Sequence, residues 1–152
     1  MKINLNDVIE CIEFEGELLT HYYNKETGVI IYIEDSSTSN YKAEDINNLD
    51  SFEEWEREVI TALNDFKENR DKYIQLPTYN EINEHGMMIE FCELIEDNKV
   101  KNSILEKKDN FRELREAIEN AGFISKWYDF REDAEKNIAI KWCKDNGIEF
   151  YY

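Results

Sequence analysis

The chain has few of the residues that build covalent or metal-held scaffolds. Its 152 residues include three cysteines, two histidines and one proline. The cysteines, Cys11, Cys92 and Cys143, are odd in number and widely spaced. Neither a disulfide framework nor a zinc-binding CxxC pair is therefore predicted, and a reducing, cytoplasmic location is the expectation.

Long apolar runs are also missing. No run reaches the roughly 18 apolar residues of a membrane-spanning helix, and the first residues lack the apolar core of a secretory signal. Five glycines and the single Pro77 leave no Gly-rich or Pro-rich linker. We therefore expect a single domain over residues 1–152 and no contact with a membrane.

Negative charge and aromatic rings, in contrast, are abundant. The formal net charge is −17, the mean hydropathy is −0.72 and 13% of the residues are aromatic. Such a surface repels phosphates, so direct binding of nucleic acid is not expected. The aromatic content indicates a folded domain, because acidic disordered chains contain few aromatic residues. A protein partner, basic in character, is compatible with this surface.

Hydrophobic periodicity predicts an α+β fold dominated by helices, with one small antiparallel sheet. The sheet is built on an N-terminal β-hairpin of residues 18–23 and 29–34, whose turn contains Asn24 and Gly28. The residues after 147 alternate between apolar and polar, which predicts a further strand added to the hairpin.

Helices are predicted over most of the remaining chain. The first begins near Asn6 and ends at Gly16, and residues 35–50 form a polar, acidic surface loop. Capping boxes starting at Ser51 and Thr78 begin two further helices. The inner face of the Ser51 helix is predicted to contain Phe52, Trp55, Val59, Ala62, Leu63 and Phe66.

The longest helical pattern covers residues 124–147, and it contains Arg131 on its apolar face. A guanidinium there must pair with a carboxylate or reach solvent across an aromatic ring. We favour a structural ion pair, and the alternative is an arginine that recognises an anion. The candidate binding patch consists of Trp127, Tyr128, Arg131 and Trp142.

The only approach to a metal motif is Glu81-x-x-Glu84-His85, which has Glu where the inverted zinc-protease pattern needs His. Glu81, Glu84 and His85 are therefore weak metal candidates. With two histidines in the chain, a His-rich zinc site is excluded by count. His85 also falls on an apolar stripe, which is typical of a core histidine. No metal or cofactor is expected.

No motif assigns a reaction. A phosphate-binding loop, a nucleophile elbow and a dinucleotide fingerprint are all missing, so no catalytic residue is predicted and an enzyme is the less favoured interpretation. The favoured hypothesis is a non-catalytic protein-interaction module. Two alternatives stay open: a small-ligand binder or enzyme with a pocket around Arg131, and an acidic mimic of nucleic acid. The sequence does not indicate an oligomeric state.

Three segments together resemble a known family. They are YNKETG at 23–28, YIQLP at 73–77, and WYDFR-x-x-A followed by AIKWC-x-x-NGI within 127–148. In order and spacing they resemble the bacterial uncharacterised protein family 0158 over nearly the whole chain. The resemblance implies a small cytoplasmic bacterial domain with no assigned activity and no catalytic residues to transfer.

Overall fold

The computed structural model describes residues 1–14, 18–34 and 40–152. Two sequence predictions fall outside these residues: Gly16 as the end of the first helix, and residues 35–39 of the predicted acidic loop. No α-helix among the described residues is both long and apolar enough to cross a membrane.

The described residues form a helix-dominated α+β domain, as predicted. The strands are β1 (Lys2–Asn4), β2 (Leu19–Asn24), β3 (Ile30–Glu34), β4 (Tyr73–Gln75) and β5 (Glu149–Tyr151). The α-helices are α1 (Leu5–Glu13), α2 (Glu54–Glu68), α3 (Glu84–Glu93), α4 (Asn98–Leu105), α5 (Phe111–Asn120) and α6 (Ile124–Asp145).

The predicted hairpin is confirmed and forms most of an antiparallel sheet with the strand order β3-β2-β4. In its turn, Gly28 adopts a φ of +74°, which favours glycine. Asn24 instead stabilises the turn through its side chain, whose oxygen accepts the N–H groups of Glu26 at 2.9 Å and Thr27 at 3.1 Å.

The last strand is not part of the hairpin sheet, so that prediction is wrong. β5 pairs in parallel with β1, with Ile3 opposite Phe150. The reason is the packing of α6 against α1. Because β1 leads directly into α1, the chain that leaves α6 meets β1 rather than β3.

The main core lies between α1, α3, α4, α5 and α6, around the fully buried Trp127. One face of the hairpin sheet covers it, with Tyr23 set edge-on against Trp142 at 6.1 Å. The core side chains with essentially no exposure include Leu5, Val8, Ile12, Met88, Cys92, Leu114, Ile118, Ala139 and Cys143.

The helix α2 covers the opposite face of the sheet. Its Phe66 packs on Tyr22 at 4.6 Å and on Tyr73 at 5.3 Å between ring centroids. Ile60 of α2 is also fully buried, but it is not part of the main core. The sheet therefore separates a large helical core from a thinner outer layer.

The predicted helix starts are shifted by a few residues. Residues Ala43–Ser51, predicted as loop, form a 3-10 helix, so Ser51 ends one element instead of starting the next. Glu53 precedes α2, and its N–H donates to Glu56 Oε1 at 3.1 Å. The capping box is thus present two residues later than predicted.

Thr78, predicted to start a capping box, precedes a 3-10 helix, Tyr79–Ile82, instead of α3, and its side chain makes no capping hydrogen bond. Asn83, with a φ of +48°, then caps α3 by accepting the N–H of Gly86 at 3.1 Å. At the other end of the longest helix, Gly147 has a φ of +66°, and the Ile148 N–H returns to the Cys143 carbonyl at 2.8 Å. This is the glycine C-cap predicted for α6.

Candidate functional site

Arg131 is held between two carboxylates where α3 meets α6. Its Nη1 donates to Glu84 Oε1 at 3.1 Å, and its Nε lies 3.6 Å from Glu135 Oε1. Glu84 belongs to the first turn of α3, while Glu135 lies one turn further along α6. The predicted ion pair is therefore present, and the Arg131 side chain is 35% exposed.

Glu135 is the unusual member of this cluster, since its residue exposure is 3%. Burial and a hydrogen bond with the Glu13 carboxyl raise the pKa of Glu135 from 4.5 to about 7, although Arg131 acts in the opposite direction. A hydrogen bond between two carboxyl groups needs a proton on one of them. The Arg131 cluster (Arg131, Glu13, Glu84, Glu135 and Tyr79) therefore retains a proton close to neutral pH.

Further polar groups around Arg131 are also partnered within the protein. The Tyr79 hydroxyl donates to Glu84 Oε2, and the Arg131 guanidinium lies 5.3 Å from the centre of the Tyr128 ring. Arg115 Nη2 donates to the Tyr128 hydroxyl at 2.5 Å. No buried side-chain nitrogen or oxygen in the described part of the chain lacks a hydrogen bond. This pattern is typical of a structural network.

The four candidate patch residues do not share one surface. Trp127 is fully buried between Phe91 and Phe130, at centroid distances of 5.8 and 6.2 Å, so it cannot contact a partner. Trp142 lies about three turns from Arg131 along α6, and its Nε1 donates to the Gln75 carbonyl at 2.9 Å. Only Tyr128, 39% exposed, stays beside Arg131 at the surface.

The three weak metal candidates have separate surroundings. Glu81 is an exposed residue of a 3-10 helix, while Glu84 is bound to Arg131 and Tyr79. His85 Nε2 lies 2.6 Å from the Lys108 carbonyl oxygen. Within residues 1–14, 18–34 and 40–152, no group of three His, Cys, Asp or Glu side chains is arranged to hold a metal ion.

The cysteines are all buried free thiols. Burial raises the pKa of Cys11 and of Cys92 to about 11, with nearby carboxylates adding to the effect, and burial also raises the pKa of Cys143. The thiolate is the reactive form of cysteine, so these side chains act as small apolar core residues.

A surface that the sequence pattern did not indicate lies on α2. Trp55, predicted to face inward, is 59% exposed, and its ring meets Tyr41 edge-on at 6.3 Å. Tyr41 in turn contacts Phe52 at 6.2 Å and donates to Glu56 at 2.9 Å. We call Trp55, Tyr41 and Phe52, with the neighbouring Glu54 and Glu58, the acidic aromatic surface.

Trp55 is exposed although it lies on the apolar side of α2 that the periodicity indicates. At 3.6 residues per turn, Trp55, Ala62 and Phe66 lie on one side of the helix. Near the C-terminal end of α2, Phe66 rests on Tyr22 and Tyr73, whereas Trp55 near its start contacts Tyr41 and stays exposed. Helical periodicity identifies the stripe but does not show how much of it the rest of the protein covers.

A groove of about 530 Å³ runs between α2 and the hairpin. From α2 it is lined by Glu54, Arg57, Glu58, Thr61, Ala62 and Asp65, and from the sheet by Asn24, Thr27, Val29, Ile31 and Tyr73. The groove therefore begins beside the acidic aromatic surface and reaches Val29 and Ile31 at the outer strand of the hairpin. Three other cavities, of about 490 to 550 Å³, lie elsewhere, and Arg131 lines none of these four.

The described residues form a small acidic α+β domain in which Arg131 is paired with Glu84 and Glu135. The chain belongs to Uncharacterised protein family UPF0158, whose model matches residues 1–152. No curated protein and no solved structure matches the chain.

Proposed function

We propose that this chain is a non-catalytic protein-interaction module that binds a basic partner through the acidic aromatic surface. The observation that carries the proposal is Trp55, which is 59% exposed on a helix whose neighbouring positions are acidic. Tryptophan is mostly buried in folded proteins and is enriched among the residues that dominate binding energy at interfaces.

Charge supports the same proposal. Trp55 is surrounded by four glutamates, Glu53, Glu54, Glu56 and Glu58. The one cation among residues 53–58 is Arg57, which is hydrogen-bonded to backbone carbonyls. Its Nε donates to the carbonyls of Leu49 at 3.0 Å and Phe52 at 2.9 Å. An incoming lysine or arginine side chain therefore meets net negative charge around an apolar anchor, which favours association with a basic surface.

The enzyme alternative rests on Glu135, because a carboxyl with a pKa near 7 suits general acid–base catalysis. A catalytic acid must reach the atom to which it transfers a proton. The Glu135 side chain is 4% exposed and faces Arg131 and Glu13, so its surroundings favour a structural role.

We place this module in the bacterial cytoplasm. Three buried, unpaired thiols suit a reducing compartment, because secreted domains of this size commonly use their cysteines in disulfides. The net charge of −17 also keeps such a chain dispersed among other proteins.

Photo-crosslinking tests the proposal. A photoreactive phenylalanine analogue replaces Trp55 in one variant and Leu94 in a matched control, since Leu94 is also widely exposed, at 68%. After irradiation in an extract of the source organism, position 55 should give discrete adducts with basic proteins. Adducts at position 94 should be weak and unselective.

Charge reversal supplies the second control. Glu58→Lys should suppress the adducts formed at position 55, and raised salt should do the same, because an acidic surface holds its partner by screened electrostatics. Glu119→Lys makes the same change in net charge on the exposed end of α5 and should leave the adducts intact. Equal adducts at positions 55 and 94, or equal effects of the two lysines, would reject the proposal.

A further inference from the structure

The outer strand of the hairpin sheet has an open edge. The strand order is β3-β2-β4, so among the described residues no strand pairs with the outer side of β3. Edge strands are commonly protected by lysine, by proline or by a bulge. The sequence of β3, IIYIE, contains neither lysine nor proline. Its backbone is therefore open to pairing with another extended segment.

The register shows which backbone groups face outward. The Asn24 N–H donates to the Val29 carbonyl at 2.9 Å, which fixes the phase of the antiparallel ladder. Since hydrogen-bonded pairs alternate along such a ladder, Ile31 and Ile33 direct their backbone groups towards β2. The N–H and C=O groups of Ile30 and Tyr32 consequently point away from the sheet.

The side chains beside this edge offer apolar contact on both faces. On the α2 side, Val29 and Ile31 line the groove, and Val29 is 54% exposed. On the other face, the Tyr32 ring is half exposed and lies 6.4 Å from His21. An added strand would place alternate side chains over Tyr32 and into the groove, because strand side chains alternate between faces.

The charges of the groove indicate which kind of segment fits. Glu54, Glu58 and Asp65 line it, and Arg57 is bound to backbone carbonyls. A second copy of this chain is opposed by its own net charge of −17, and its β3 brings no cation. The complementary occupant is therefore a basic segment of another protein.

We propose that an extended, lysine- or arginine-rich segment of the partner pairs with the outer edge of β3 and directs its basic side chains into the groove beside α2. This inference rests on the proposed function and gives the partner's binding mode. Main-chain hydrogen bonds to Ile30 and Tyr32 supply affinity, while Glu54 and Glu58 select for positive charge.

The probe is a nine-residue peptide of alternating lysine and valine, labelled for fluorescence anisotropy. It should bind, and a glutamate–valine peptide of equal length should not. Amide hydrogen exchange measured by NMR gives the location, since binding should slow exchange at Ile30 and Tyr32 at least threefold. The amides of Ile31 and Ile33, which already pair with β2, should change little.

Two variants separate the contribution of backbone pairing at β3 from that of the acidic side chains in the groove. Tyr32→Pro removes an outward N–H, which an edge strand tolerates, so it should weaken binding tenfold or more while leaving the fold intact. Glu58→Lys should weaken binding three- to tenfold, and Glu119→Lys should not. As a test that needs no mutation, methylating the central backbone nitrogens of the peptide should also weaken binding.

The inference is overturned if the lysine–valine peptide fails to bind, or if it binds without slowing exchange at Ile30 and Tyr32. Its failure is distinct from failure of the proposed function. If position 55 gives selective adducts but amide exchange at Ile30 and Tyr32 does not slow, strand pairing is rejected and the interaction module is retained. If position 55 gives no selective adduct, the interaction module itself is rejected.

Discussion

The two sides of the hairpin sheet are built in different ways. On one side, five helices enclose Trp127 in a continuous core. There Glu135, the one deeply buried charged side chain among the described residues, is partnered by Arg131 and Glu13. On the other side, α2 packs on the sheet through Phe66 and leaves Trp55 exposed to solvent. Trp127 and Trp55, each on the apolar side of its helix, thus have opposite surroundings.

We interpret this difference as a division between residues that stabilise the fold and residues that we propose bind a partner. The Arg131 cluster has its charges satisfied internally, so it serves the core. In the acidic aromatic surface, Trp55 is 59% exposed and Glu54 and Glu58 are exposed beside it, which is the condition expected of a binding surface.

Trp127→Ala should have the largest effect. Removing a fully buried tryptophan leaves a cavity among Phe91, Phe130 and their neighbours, and we expect a loss of about 3–5 kcal/mol in the free energy of unfolding. Urea denaturation followed by circular dichroism measures it. A loss below about 1 kcal/mol would show that Trp127 is not the centre of the core.

Glu135→Gln should change the pH dependence of stability. The pKa of Glu135 is about 7 in the folded protein against about 4.3 in an unfolded chain, so the folded state binds the proton more tightly between these values. Native stability should therefore fall as the pH rises from about 4.5 to 7, by up to about 3 kcal/mol. Glutamine cannot titrate, so this part of the fall should disappear.

Urea denaturation at pH 5, 6, 7 and 8 measures how the free energy of unfolding depends on pH. The proteins compared are wild type, Glu135→Gln and the surface control Glu119→Gln. The Glu135→Gln variant should gain stability relative to wild type as the pH rises, while Glu119→Gln should follow wild type. Parallel curves for all three proteins would contradict the raised pKa.

Arg131→Met should destabilise the protein by about 2 kcal/mol near neutral pH. Methionine keeps much of the side-chain volume but leaves Glu84 and Glu135 without their cation, and partial exposure of Arg131 reduces the full cost of breaking a buried pair. The loss should be smaller at pH 5, where Glu135 is protonated. Thermal unfolding at both pH values tests this, and an equal loss at each would count against the cluster's shared proton.

Trp55→Ala should have the smallest effect on stability, within about 0.5 kcal/mol, because the side chain is mostly in solvent and alanine favours helix. The same substitution should weaken partner binding strongly. A loss of stability similar to that of Trp127→Ala would show that Trp55 is a core residue and that the two regions do not differ.

Much of this contrast could be predicted from the sequence. Periodicity predicts α6, the hairpin and the paired Arg131, since each depends on local spacing or on the cost of burying a charge. The pairing of β5 with β1 could not be predicted, because it depends on how α6 packs against α1. Periodicity also predicts that Trp55 lies on the inner face of α2, but it does not determine how much of that face the rest of the protein covers.

The most direct measurement places the photoreactive residue at position 55 in one variant and at position 128 in another. Tyr128 is the exposed neighbour of Arg131, so the pair compares the acidic aromatic surface with the Arg131 cluster under identical conditions. We predict salt-sensitive adducts with basic proteins at position 55 and none at position 128. Adducts at position 128 alone would contradict the account and assign binding to the Arg131 cluster.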